Sequence, residues 1–352
     1  MEYAGVPLYA FSLHGQAGVM LFFVISGYCI AAAGYAALIS GKTVWRYSYD
    51  RIRRIYPPYL AALLLALLSI FAIRFASSHH LIGTVHHPRI LSTDWRFWLG
   101  NVFLLQGEFK VESVDVVFWS LSYEIAFYCI IGVFLAIAKK IAARRNLHDA
   151  TIFLVAAVGV STVISLGLLS MGYMVIFPFD YWHQFTLGAA LFFLIEFKPQ
   201  QVSHYSKSLR AIVIGNAAII ALLTVLYATL RDYPAIGLGD PSSRWRCIIG
   251  LIFAMLLIGL RRIDDRLALS PFLRPLMWVG AFSYGLYLTH NVVIAYVDIL
   301  SRKAGLDGRY YWIAFLLQLA VALAMGRIFY HLVERHFVSK RQVHRLEVEK
   351  VA

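Results

Sequence analysis

Residues 51–76 read RIRRIYPPYLAALLLALLSIFAIRFA. Arg51, Arg53 and Arg54 lead into Pro57 and Pro58, and then into a block that is apolar apart from Ser69 and Arg74. A helix needs about 20 mostly apolar residues to cross a bilayer core. Basic residues collect on the cytoplasmic side of such helices. Proline suits a first helical turn, where its missing N–H costs nothing. The stretch therefore reads as a cytoplasmic basic segment feeding a membrane span over 57–76.

The same alternation of charge and apolar block recurs along the chain. Of 352 residues, 60% are hydrophobic and 14% charged, against about 45–50% and 25% in a soluble domain. A lipid-exposed backbone must satisfy its own hydrogen bonds, so the fold class is all-α, a polytopic transmembrane helix bundle. Nine spans are expected, at 17–38, 57–76, 115–138, 151–172, 182–197, 211–230, 245–260, 277–300 and 311–333. The apolar stretch 97–106 is too short to cross and reads as a re-entrant or interfacial piece.

The net charge of +13 does not indicate a nucleic-acid partner, because the basic residues sit at the ends of apolar blocks. One set of alternating loops (39–56, 139–150, 198–210, 261–276 and the tail from 334) holds 5, 4, 3, 4 and 5 Lys and Arg. The opposite set (77–96, 107–114, 173–181, 231–246 and 301–309) holds 2, 1, 0, 3 and 3. The first set should face the cytoplasm, with the basic tail 341–352, while 1–340 forms the transmembrane domain. Residues 1–16 then lie outside. No cleavable signal peptide is visible, so a preceding first helix is expected to be missing from this sequence. With it the bundle would have ten spans.

Cys29, Cys129 and Cys247 all lie in apolar blocks and fit no zinc or disulfide pattern. His79-His80 and His86-His87 lack the spacing of metal ligands. No metal site is expected.

Four motifs carry polar groups into or beside the spans. Residues 18–28 read GVMLFFVISGY, in which Ser26 and Gly27 are small enough for close helix approach; helix packing alone would explain them. Arg51 and Arg54, three apart, share a helix face and can grip a phosphate, or else merely anchor to lipid headgroups. Residues 119–128 read WSLSYEIAFY, with Trp119 at the head. Ser120, Tyr123, Glu124 and Tyr128 fall near one helix face. An intramembrane carboxylate costs at least about 2.5 kcal/mol, so Glu124 must be paired or line a wet cavity. Residues 282–290 read FSYGLYLTH, placing Tyr287 and His290 mid-span. His290 is either a titrating group or a core histidine satisfied by a backbone partner. Glu334-Arg335 reads as an interface pair.

These motifs, in this order, resemble the acyltransferase 3 family of integral membrane O-acyltransferases. The resemblance runs from Gly18 to about Glu334. It implies about ten spans in a bacterial inner membrane and no tightly bound cofactor. It also implies transfer of an acyl group, often acetyl, from acyl-CoA to a hydroxyl of a carbohydrate or lipid-linked glycan, as in envelope modification. Arg51 and Arg54 match the family's R-x-x-R pair, tied to the acyl donor. Arg53 can share the task. Glu124 would orient the catalytic base or bind acceptor hydroxyls. There are two departures. Met20 stands where family members carry an acidic residue. The family's catalytic histidine lies about a dozen residues before Gly18, where none occurs, and His14 is the only histidine ahead of the motif. A transporter or flippase with Glu124 and His290 as a proton relay is the rival reading, as is a degenerate, non-catalytic relative.

Overall fold

The computed structural model describes residues 17–82, 91–171, 175–196, 206–229, 241–306 and 310–337, and all secondary structure among them is helical. Thirteen α-helices follow in order: α1 (Ala17–Ile39), α2 (Val44–Ser78), α3 (Trp95–Phe103), α4 (Gln106–Phe109), α5 (Trp119–Arg144), α6 (Leu147–Ser170), α7 (Trp182–Ile195), α8 (Ser206–Thr229), α9 (Pro241–Leu260), α10 (Asp264–Ala268), α11 (Arg274–Gly280), α12 (Ser283–Lys303) and α13 (Tyr311–Leu332). Among the described residues, five stretches are long and apolar enough to cross a membrane: Gly18–Ile39, Val44–Ser78, Val116–Arg144, Leu147–Leu169 and Trp312–His336.

Of the other four expected spans, 245–260 lies within α9, and three are helical but differ from the expected form. α7 has 14 residues, about 21 Å at 1.5 Å per residue, which falls short of a ~30 Å core. The apolar part of α8 is confined to Ala211–Leu226. The block expected as one span over 277–300 is broken at Ala281–Phe282 into α11 and α12. α11 ends at Gly280, and the Ala281 N–H turns back to the Met277 carbonyl. Phe282, fully buried, then packs edge-on to Trp278 at a centroid distance of 4.8 Å.

α2 also differs from expectation. It begins at Val44, so Pro57 and Pro58 lie inside a 35-residue helix instead of opening it. The arginine-rich stretch ahead of the prolines is itself helix-favouring. Beyond them, Leu60, Leu64, Leu68, Phe71 and Phe75 are exposed, while Tyr59, Ala62, Leu63 and Ala66 are buried. An exposed apolar stripe at helical spacing is a lipid-facing surface.

The chain forms two compact units. In the unit comprising 6–49 and 123–265, α1 lies against α7, with α6, α8 and α9 packed around them. Small residues make the α1–α7 contact possible. A Cβ on Gly27 would strike the Phe185 carbonyl, and one on Gly188 would strike the Val24 carbonyl. The helices therefore touch backbone to backbone. Phe23 stacks on Phe185 at 4.5 Å, and Phe185 on Phe127 at 4.5 Å. In the unit comprising 50–122 and 266–352, α12 packs along α13. Their crossing lies at Gly285 and Gly326, where a Cβ on either would press on the other helix's backbone.

The stretch 97–106, expected as a short non-crossing piece, is α3 ending at Leu104 in the left-handed conformation, followed by α4. Asn101 organises it. Its amide donates to the Phe97 carbonyl at 2.9 Å and the Glu112 carbonyl at 3.0 Å, and its Oδ1 accepts from the Val114 N–H at 2.7 Å. Gln106 donates to the same Oδ1 at 3.4 Å and accepts from the Ser122 hydroxyl, while Tyr59 donates to the Asn101 carbonyl. Buried backbone groups outside regular structure are thereby paired. Trp95 and Phe103 stay exposed, as aromatics at a membrane–water interface do.

Candidate functional site

Glu124 lies on α5, inside a candidate span, and is 7% exposed. Tyr128, one turn on, donates its hydroxyl to Oε1 at 2.9 Å, and Ser26 of α1 approaches the same oxygen at 3.5 Å. The carboxylate is thus met by hydroxyl donors, the kind of pairing its burial requires. Gly27, beside Ser26, serves the α1–α7 contact. Met20 on the same helix is fully buried, so its place is apolar.

Tyr123 turns from Glu124 to a different carboxylate. Its hydroxyl donates to Oδ2 of Asp180 at 2.7 Å. Tyr181 and Phe177 pack edge-on to the Tyr123 ring at 5.1 and 4.6 Å. Burial pushes the Asp180 carboxyl above its ordinary value, only partly offset by the Tyr123 hydroxyl and the backbone hydrogen bonds at Asp180 and Tyr181. Ser26, Gly27, Tyr123, Glu124 and Tyr128 all belong to one unit.

Arg51, Arg54, Trp119, Ser120, Tyr287 and His290 belong to the other. On α2, Arg51 and Arg54 are half-buried while Arg53 is exposed, so the three-residue spacing puts the pair on one partly sheltered face. Trp119, half-buried, opens α5. Ser120 shares a hydrogen bond of 2.5 Å with the Tyr287 hydroxyl, which also donates to the Val117 carbonyl at 2.7 Å. The four residues expected near one face, Ser120, Tyr123, Glu124 and Tyr128, therefore serve three clusters.

His290 Nδ1 lies 2.8 Å from the Tyr287 carbonyl, so Nδ1 carries the proton and Nε2 is left as the basic nitrogen. Next to it, Asn291 donates to Oδ1 of Asp115 at 2.6 Å, and Asp115 caps the short 3₁₀ turn Val116–Phe118. His14 lies outside the described residues, as do His86 and His87. His79 Nδ1 lies 2.9 Å from the Phe75 carbonyl of its own helix.

Sequence reading missed two polar centres, Asn101 and Asp180, and read a third, Glu334, as an interface pair with Arg335. Glu334 is 5% exposed, and its Oε2 accepts the Gly285 N–H at 2.9 Å. Read in sequence, the neighbouring Arg335 suggested a surface pair. Arg335 is exposed and lies 3.5 Å from His331, leaving Glu334 turned inward.

A family model described as an acyltransferase domain, Acyl_transf_3, matches residues 3–329. No curated protein and no solved structure matches the chain.

Proposed function

The chain belongs to the acyltransferase 3 family of membrane acyltransferases, and from that membership we propose that it moves an acyl group of the acetyl class from acyl-CoA to a hydroxyl of a sugar or lipid-linked glycan. The setting we propose is a bacterial inner membrane, with the C-terminus cytoplasmic and the product an envelope or exopolysaccharide ester. The observation that carries this reading is Glu124, a carboxylate buried in a span and met by the hydroxyls of Tyr128 and Ser26. A polar constellation of that cost inside lipid is a mark of function.

Arg51 and Arg54 would grip the donor's phosphates, since a guanidinium fork matches phosphate geometry. A histidine ahead of Gly18, for which His14 is the stand-in in this chain, would take the acceptor hydroxyl proton. The oxygen attacks the thioester carbonyl, the C–S bond breaks, and the departing thiolate takes the proton. A positioned histidine base supplies about 10²–10⁴-fold, so orientation must supply the rest. Glu124 would hold the base or the acceptor hydroxyls.

The test is transfer from labelled acyl-CoA by purified protein without a membrane gradient. Labelled glycan ester is expected, and Arg51→Ala or Arg54→Ala should raise the donor KM at normal protein level. Gradient-dependent uptake with no ester formed would overturn the reading in favour of a transporter.

A further inference from the structure

The segment FSYG at 282–285 reaches, through Tyr284, the turn that carries Arg54. Pro57 and Pro58 lack an N–H, so the carbonyls of Arg53 and Arg54 lose their donors four residues on. The arginine turn is therefore the weakest part of α2, and interior prolines are where helices bend. Into this turn comes Tyr284, whose hydroxyl donates to the Ile55 carbonyl at 3.0 Å. Ile55 directly follows Arg54.

Tyr284 is itself held by its neighbours. It is the second residue of α12, whose start at Phe282 offers no side-chain cap. Glu334, in the short turn just past α13, supplies the cap by accepting the Gly285 N–H, and a negative charge at a helix N-terminus is stabilising. Glycine leaves that contact uncrowded, since a Cβ at 285 would lie 3.0 Å from Glu334 Oε2 and 3.1 Å from the Gly326 carbonyl. The positive charge of Arg54 also acts on the same carboxylate.

Resting on the donor clamp proposed above, we infer that Tyr284, fixed by Glu334 through Gly285, is a positioning residue for the arginine pair. The Tyr284 hydroxyl adds, from a second helix, a bond to the Ile55 carbonyl, the one next after the two that the prolines leave without helical donors. It holds the arginine turn in the geometry that receives the donor's phosphates.

The test is steady-state kinetics on the full chain in detergent or nanodiscs, with acetyl-CoA as the varied donor. Tyr284→Phe removes one hydroxyl and no volume. It is expected to raise the donor KM about three- to tenfold, the cost of ordering an extra mobile side chain on binding, while kcat and acceptor KM hold. In an Arg54→Ala background it should add nothing. Glu334→Gln, which keeps an acceptor for the Gly285 N–H, should retain the donor KM, and Glu334→Ala should raise it. An unmoved donor KM in Tyr284→Phe, or full additivity with Arg54→Ala, overturns the inference while leaving the clamp standing. Equal donor KM in the two Glu334 variants severs the link through Gly285. If Arg54→Ala itself leaves the donor KM unchanged, the clamp falls and the inference falls with it.

Discussion

Tyr128 donates its hydroxyl to Oε1 of Glu124 at 2.9 Å, one turn along the same helix. Glu124→Gln keeps an acceptor for that hydroxyl and removes only the charge. Protein level is expected to hold while transfer falls about tenfold or more, because bonds to a charged group carry about 1.5–3 kcal/mol. Transfer at the wild-type rate in this variant would remove Glu124 from the chemistry. Tyr128→Phe should cost a similar energy in stability, read as a lower melting temperature in detergent.

Alanine at Gly27 or Gly188 places a methyl against backbone, at the Phe185 or Val24 carbonyl. Backbone cannot rotate aside, so α1 and α7 must separate, at a cost of about 1–3 kcal/mol each. Because both act on one contact, the double variant should lose less than the sum. Gly167 has nothing within 4 Å of a built Cβ, and Gly167→Ala should stabilise its helix by about 1 kcal/mol. Thermal unfolding of the four variants checks the ordering.

Asp180 supplies a pH signature. Its carboxyl is pushed above the ordinary value by burial, so folding disfavours its charged form. The stability belonging to the protonated acid is fully present below the ordinary carboxyl range, and it is lost as pH rises through the raised value. Asp180→Asn keeps an acceptor for Tyr123 and cannot ionise. The variant should therefore match wild type in acid and melt higher at neutral pH. A gap that widens toward acid instead would contradict this placement of Asp180.

Asn101→Ala strips three backbone partners of their bonds at once, at Phe97, Glu112 and Val114. Each buried group left bare costs about 1–3 kcal/mol, so loss of about 3 kcal/mol or more is expected. Protease cleavage within 95–118 should rise in step, and Asn101→Asp, which retains Oδ1, should lose less.

Apolar blocks made α1, α5, α6 and α13 legible, because lipid demands long uninterrupted runs. Where polar residues share a helix with apolar ones, legibility failed. The prolines of α2 read as a start signal, yet the helix continues back to Val44. The single block over 277–300 concealed a break beside which the Gly285 N–H donates to Glu334, 49 residues on. Local spacing showed which arginines share a face and that Tyr128 reaches Glu124. It could not show that Tyr123 reaches Asp180, because that bond joins positions 57 apart across two loops and a helix. Asn101 was invisible for a further reason: one amide in an aromatic stretch resembles any other until its partners are known.

At about 1.5 Å per residue, the 35 residues of α2 rise about 52 Å, far more than a ~30 Å hydrocarbon layer requires. The Pro57-Pro58 joint divides this rod into a greasy half and a basic half. Since about 20 apolar helical residues suffice for that layer, the rod has length to spare, and the basic residues ahead of the prolines supply it.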